Sequence, residues 1–274
     1  LGKVENKGLD FSIDYVKRFN NDFDMSFKGT FTYAHNKVLE YDEPDFQKYP
    51  NISRVGHSVD QQLLYIAERL FIDDSEVQRN PKQNLGGWVS GGDIKYKNLP
   101  DVNGNYDNVI DSNDRQYTGM PTTPEIVYGF GPSFRYKKFD FSFFFQGAAR
   151  VSIMMNGIHP FGAEGIRNVL QFIADDYWSE TNQNIYAEYP RLSKRDNENN
   201  TKASTYWQRN GAFLKLKNLE VGFNHKFFRV YLRGSNLLTF SPFKYWDPEM
   251  GSGSGLSYPT QRVFNVGVQF SINK

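Results

Sequence analysis

The sequence predicts an all-β fold, a transmembrane antiparallel β-barrel, and three observations point to it. The first is composition. Phe (24), Tyr (17) and Trp (4) make 16% of the 274 residues aromatic, yet mean hydropathy is −0.63. A soluble core rich in apolar rings raises both quantities together. A barrel wall separates them: one face of each strand meets lipid, the other meets water, and aromatic girdles mark the interfaces. The second observation is period-two alternation of apolar and polar residues over long segments. The third is asymmetry of the connections, which alternate between very short turns and long polar stretches.

The strands follow in order. Leu9, Phe11, Ile13 and Tyr15 are separated by Asp10, Ser12 and Asp14. After a polar turn at Asn20, Asn21 and Asp22, Phe23, Met25, Phe27, Phe31 and Tyr33 alternate with Asp24, Ser26, Lys28, Thr30 and Thr32. The two segments form a hairpin with one apolar and one wet face. The pattern returns at Ile126, Tyr128, Phe130, Phe134 and Tyr136, then, past a turn near Lys138, at Phe139, Phe141, Phe143 and Phe145. Leu214 and Leu216 start another strand whose phase shifts at Leu219, Val221 and Phe223, the mark of a bulge. Val230 and Leu232 begin the next, and Phe264, Val266, Val268, Phe270 and Ile272 form the last. That makes about seven strands, each able to cover the roughly 9–11 residues a tilted membrane strand needs.

The turns near Asn20, Lys138 and Lys226 are short, whereas 38–125, 152–210 and 241–260 are long and rich in Gly, Pro, Asn and Asp. In outer-membrane barrels short turns are periplasmic and long loops extracellular. The three long stretches are therefore expected outside the cell, with any strands in 61–70 and 93–97 held in extracellular hairpins. An odd strand count does not close a bacterial barrel, so the wall is expected to be completed by sequence before Leu1. Leu1 is not followed by a charged region and an apolar stretch, so the start reflects either a removed signal peptide or an internal position. No run approaches the roughly 18 apolar residues of a spanning helix. A soluble β-sandwich or jelly roll also alternates, but with shorter strands and more frequent turns.

Charge is balanced, with 32 Lys+Arg against 31 Asp+Glu, which gives no concentrated basic face for nucleic acid. The absence of cysteine removes disulfides, thiolate metal sites and thiol nucleophiles. His35, His57, His159 and His225 lack metal-ligand spacing. No Ser-His-Asp order, phosphate loop or HExxH motif is present. The chain is not expected to be an enzyme.

Several phrases resemble one family. Gly2 to Asp10 (GKVENKGLD) is similar to the "G-x-v-x-N-x-G-x-E" start of a barrel strand in SusC/RagA-type TonB-linked transporters. Gly92 to Lys97, Tyr117-Thr118-Gly119 with Pro121 and Pro124, and Tyr136 to Gly147 (YKKFDFSFFFQG) resemble it too. So do Tyr189 to Leu192, Ser204 to Trp207, Phe213 to Leu219, Tyr231 to Phe240 (YLRGSNLLTF) and Trp246 to Glu249 (WDPE). Their order and spacing make the resemblance specific. It implies that the chain is the last third of a 22-strand barrel whose plug and TonB box lie elsewhere. It also implies a SusD-like surface lipoprotein and TonB as partners, a place in the bacterial outer membrane, and active import of oligosaccharides or oligopeptides. A passive porin or surface adhesin is the alternative, and a secreted carbohydrate-binding β-domain a third.

Two sets of residues are candidate sites. Asp101, Asn103 and Asn105, with Asp111 and Asp114, offer oxygens at alternate positions of a loop, which suits calcium. The family often shows D-x-N-G-D-G-x-I-D-x-x-D here. This sequence departs from it by the additional Tyr106 and Asp107 and by Asn105 in place of Asp. The alternative is an Asx-rich turn. Tyr177, Trp178, Tyr206, Trp207, Tyr245 and Trp246 fall in the long loops, where aromatic faces can stack on sugar rings or hold peptide side chains. Packing of loop on loop, or on the lipoprotein, is the other use of these rings. Lys215, Lys217, Arg233, Arg262 and Gln269 fall on polar strand faces, a placement equally compatible with lining the lumen, contact with the plug or simple solvation.

Overall fold

Seven strands form one antiparallel sheet whose spatial order follows chain order. They are β1 (Lys3–Arg18), β2 (Phe23–Glu40), β3 (Ile126–Tyr136), β4 (Phe139–Ala149), β5 (Phe213–Asn224), β6 (Phe228–Phe240) and β7 (Val263–Phe270). The computed structural model describes residues 2–160, 168–195 and 197–271. Ile272, expected in the last strand, lies outside them, as does part of the 152–210 connection.

Each short turn has a local cause. The Asn20 side chain accepts from the amides of Asp22 and Phe23, both at 2.9 Å, an Asx arrangement that reverses the chain between β1 and β2. Lys137 takes φ +52° to make the turn into β4. His225 N donates to Phe228 O at 2.7 Å between β5 and β6. The phase change in β5 is a bulge: pairing with both neighbours shifts register around Lys217. The extra residue lets Leu216 and Leu219 reach the same face.

Register puts apolar residues opposite one another on one face over most of each strand's length. Phe11 faces Phe31, Met25 faces Phe134, Phe143 faces Leu219 and Leu232 faces Val266. Phe130 and Phe145 stack at 5.6 Å. This face is uncovered by protein, to the point that Val266 is 77% exposed. The opposite face carries ion pairs: Asp24 with Arg135, and Arg229 bridging Asp140 and Glu220, the latter shared with Arg233. β1 and β7 are edge strands, so the sheet is a wall segment with open edges and not a closed barrel. An exposed edge the length of β1 is a template for further pairing.

The hydrophobic core lies elsewhere, in the long connections. Leu64, Leu70, Ile94, Tyr96, Ile110, Ile153, Ile173 and Trp207 pack together there. Short strands knit this cap: Gln62–Tyr65 pairs with Arg115–Thr118, Ala67–Leu70 with Ile94–Tyr96, and Ser152–Met154 with Gln208–Asn210. Residues 61–70 thus split into two strands with different distant partners instead of forming a local hairpin.

Candidate functional site

The cap is fastened to the polar face of the wall by a lysine. Lys215 of β5 is 1% exposed, a placement lysine tolerates only when paired. Its Nζ lies 2.5 Å from Asp247 Oδ2 and 2.5 Å from Glu249 Oε2, and Lys217 Nζ is 2.8 Å from Glu249 Oε1. Asp247 also accepts from Glu249 N, capping the one-turn helix Pro248–Met250. Burial raises the carboxyls of Asp247 and Glu249, but hydrogen bonds to the lysines outweigh it and hold both below the usual range. The turn therefore folds over the wall's polar face. Between them is a cavity of about 370 Å³, bounded by Gln146, Ala148 and Phe213 of the wall and by Glu249 and Gly251 of the turn. Its size is within the ordinary range of ligand pockets.

Deeper in the cap, Asp93 is fully buried. Its Oδ1 is 2.7 Å from Arg191 Nε and accepts from Asn197 and Asn200 Nδ2 at 2.9 Å each, while Oδ2 accepts from Ser90 N at 2.8 Å. Burial pushes the Asp93 carboxyl up against the opposing pull of Arg191. The same guanidinium lies 4.1 Å over the ring of Trp88. Trp88 is 51% exposed and edges a groove of about 360 Å³ with Phe71, Val77 and Pro81. It is the exposed tryptophan of the cap, and it stands alone in the sequence, without the adjacent aromatic that marks the other candidates.

Those candidates turn inward. Trp207 is 2% exposed, and its indole donates to Asn200 O at 2.8 Å. Trp178 is buried too. Burial removes the ring faces of both from any ligand. Tyr177 bridges to Tyr189, and Tyr206 donates to Ala187 O at 2.7 Å, burial pushing its hydroxyl pKa up. Tyr245 donates to Glu188, and Trp246 to Gly251 O at 3.0 Å. The four partly buried rings pack loop on loop against the core of the cap. Of the polar-face residues, Lys215 and Lys217 join the latch and Arg233 pairs with Glu220.

The 101–114 loop spends its oxygens on itself. Asp101 accepts from the amides of Asn103 (2.8 Å) and Asn105 (2.9 Å). Asp111 accepts from Asn113 N at 2.8 Å, and Asp114 from Asp111 N at 2.8 Å and Leu99 N at 2.6 Å. Among the described residues no three His, Cys, Asp or Glu side chains converge for a metal ion. The loop as folded forms Asx turns and a capping box.

No protein-family model matches the chain. It is 28% identical over 297 aligned positions to TonB-dependent receptor P3 of Formosa agariphila, covering 98% of this chain and 29% of the relative. It is 25% identical over 288 positions to the TonB-dependent receptor SusC of Bacteroides thetaiotaomicron, covering 98% and 26%. The solved RagAB peptide importer in its open-open state superposes with TM-score 0.69 at 19% identity, over 99% of this chain and 29% of that one. Its closed-closed state gives 0.67 at 20% identity, over 98% and 30%. The chain thus spans less than a third of the length of the curated relatives it matches. In fold and sequence the chain is thus similar to the C-terminal part of TonB-dependent receptor barrels, SusC among them, and these relatives are receptors and transporters, not enzymes.

Proposed function

We propose that this chain forms part of the wall and the mouth of a TonB-dependent importer in the bacterial outer membrane, taking up oligosaccharides or oligopeptides together with a SusD-like surface lipoprotein. The observation that carries this reading is the likeness to TonB-dependent receptors over 98% of the chain, cap and wall alike. In this role the apolar face meets lipid and the polar face lines the lumen. The short turns are periplasmic, and the long connections make an extracellular cap. The lysine latch holds the 247–251 turn across the upper lumen. The cavity beneath it offers a carboxamide from Gln146 and a carboxylate from Glu249 to a polar oligomer. TonB acts on the plug, so this portion is scaffold and selectivity surface.

The test is uptake of fluorescent oligopeptide and oligosaccharide pools by cells carrying the complete receptor, with and without TonB and the lipoprotein gene. Uptake of one pool that requires both is expected. Uptake that persists without TonB contradicts import and favours a passive porin.

A further inference from the structure

We infer that the wall carries a fixed lipid site, a groove around Gly29 that takes the acyl chain of an outer-leaflet lipid. The inference rests on the membrane placement proposed above. Gly29 lies on the apolar face, in register with Ile13 of β1 and Phe130 of β3. Its neighbours on that face carry large side chains. Gly29 lets them close over it and form the floor of a groove of about 420 Å³ edged by Phe11, Ile13, Phe27, Phe31 and Phe130. Ile13 and Phe27 already lean in, standing 2.9 and 3.2 Å from where a Cβ on residue 29 would be.

Two features choose the occupant. The rim is made of aromatic rings and aliphatic carbons on a face that no protein covers. An unfilled groove forfeits dispersion contacts along its whole lining, and the solvent at this depth is hydrocarbon. The groove also has a direction. Its lining reaches from Phe27 past Gly29 to Phe31, Tyr128 and Ile126, with the greater part on the side of the long connections. Just past Leu9 and Tyr33 the same face changes to Lys7 opposite His35 and Glu5 opposite Lys37. This charged band stands at headgroup level, so the groove occupies the leaflet nearest the cap.

The complete receptor, reconstituted in vesicles containing a phospholipid with a diazirine in mid-chain, tests the site. After irradiation, labelled peptides are mapped. Label on 11–13, 27–31 and 126–130 is expected several-fold above that on 264–270, although Val266 is among the most exposed apolar residues. Gly29→Leu pushes Ile13 and Phe27 outward into the groove and should bring its label down to the level of 264–270. Gly29→Ala should lower it partway, and heat-modifiable gel mobility verifies that both variants fold. Even labelling of all outward faces, unchanged in Gly29→Leu, overturns the lipid site and leaves the membrane placement standing. No label on any strand overturns both.

Discussion

The wall and the cap use aromatic residues in opposite ways. In the wall, Phe141, Phe264 and Phe270 stand on an uncovered face, and their register partners supply only lateral contact. In the cap, Trp207 and Tyr96 are enclosed, their polar atoms satisfied by Asn200 O and Asn199 O. Charge is inverted as well. The wall keeps Asp140, Glu220 and Arg229 on a half-open face, whereas the cap sinks Asp93 completely and surrounds it with Arg191, Asn197 and Asn200. The connections are therefore a small globular fold set on a long-stranded sheet, with Lys215 and its two carboxylates as a joint between them.

If that division holds, damage should stay in its own region. Trp207→Ala removes an enclosed ring and should cost the cap about 3–5 kcal/mol. Limited proteolysis should then cut the 152–210 connection, with the wall's heat-modifiable mobility unchanged. Val266→Arg should cost about 2–4 kcal/mol in bilayers. The same change at Tyr186, an exposed cap residue, should fall within about 0.5 kcal/mol. Denaturant titration in vesicles compares the two.

Lys215→Met strips two carboxylates of a charged partner and should loosen the 241–262 connection by about 2 kcal/mol, read as faster hydrogen exchange confined there. Acid should do the same. Asp247 and Glu249 have depressed folded pKa values, so their contribution is present above the ordinary carboxylate range and is lost as pH falls through the depressed values. Pepsin nicking of 241–262 should rise over that fall, and Lys215→Met should blunt the rise. Trp88→Ala should cost less than any of these losses, about 0.5–1 kcal/mol from the lost contact with Arg191, measured by thermal unfolding of the cap.

The wall was legible in the sequence because a strand's environment repeats every second residue, so each segment reports its own faces. Even the bulge at Lys217 showed as a phase change between Leu216 and Leu219. The cap was not, because its determinants are pairwise and distant. Asp93 and Asn200 are joined across more than a hundred positions, and an Asp or Asn in a polar stretch looks the same whether solvated or buried. For that reason the sequence left open whether Tyr206-Trp207 and Tyr177-Trp178 meet a ligand or pack in the cap, and the lone Trp88 carried no signal. Lys215 was correctly placed on the polar face, but its partners come from a turn 32 residues or more away, which no local pattern encodes.

Contact of the uncovered apolar face with lipid can be read directly. Single cysteines placed in turn at 263–270, in a chain with none of its own, can be spin-labelled in the complete receptor in vesicles. Accessibility to oxygen and to a water-soluble nickel complex is then read at each position. The account predicts period-two alternation, with 264, 266, 268 and 270 open to oxygen and shielded from nickel, and 265, 267 and 269 the reverse. Equal access to nickel at every position would contradict it.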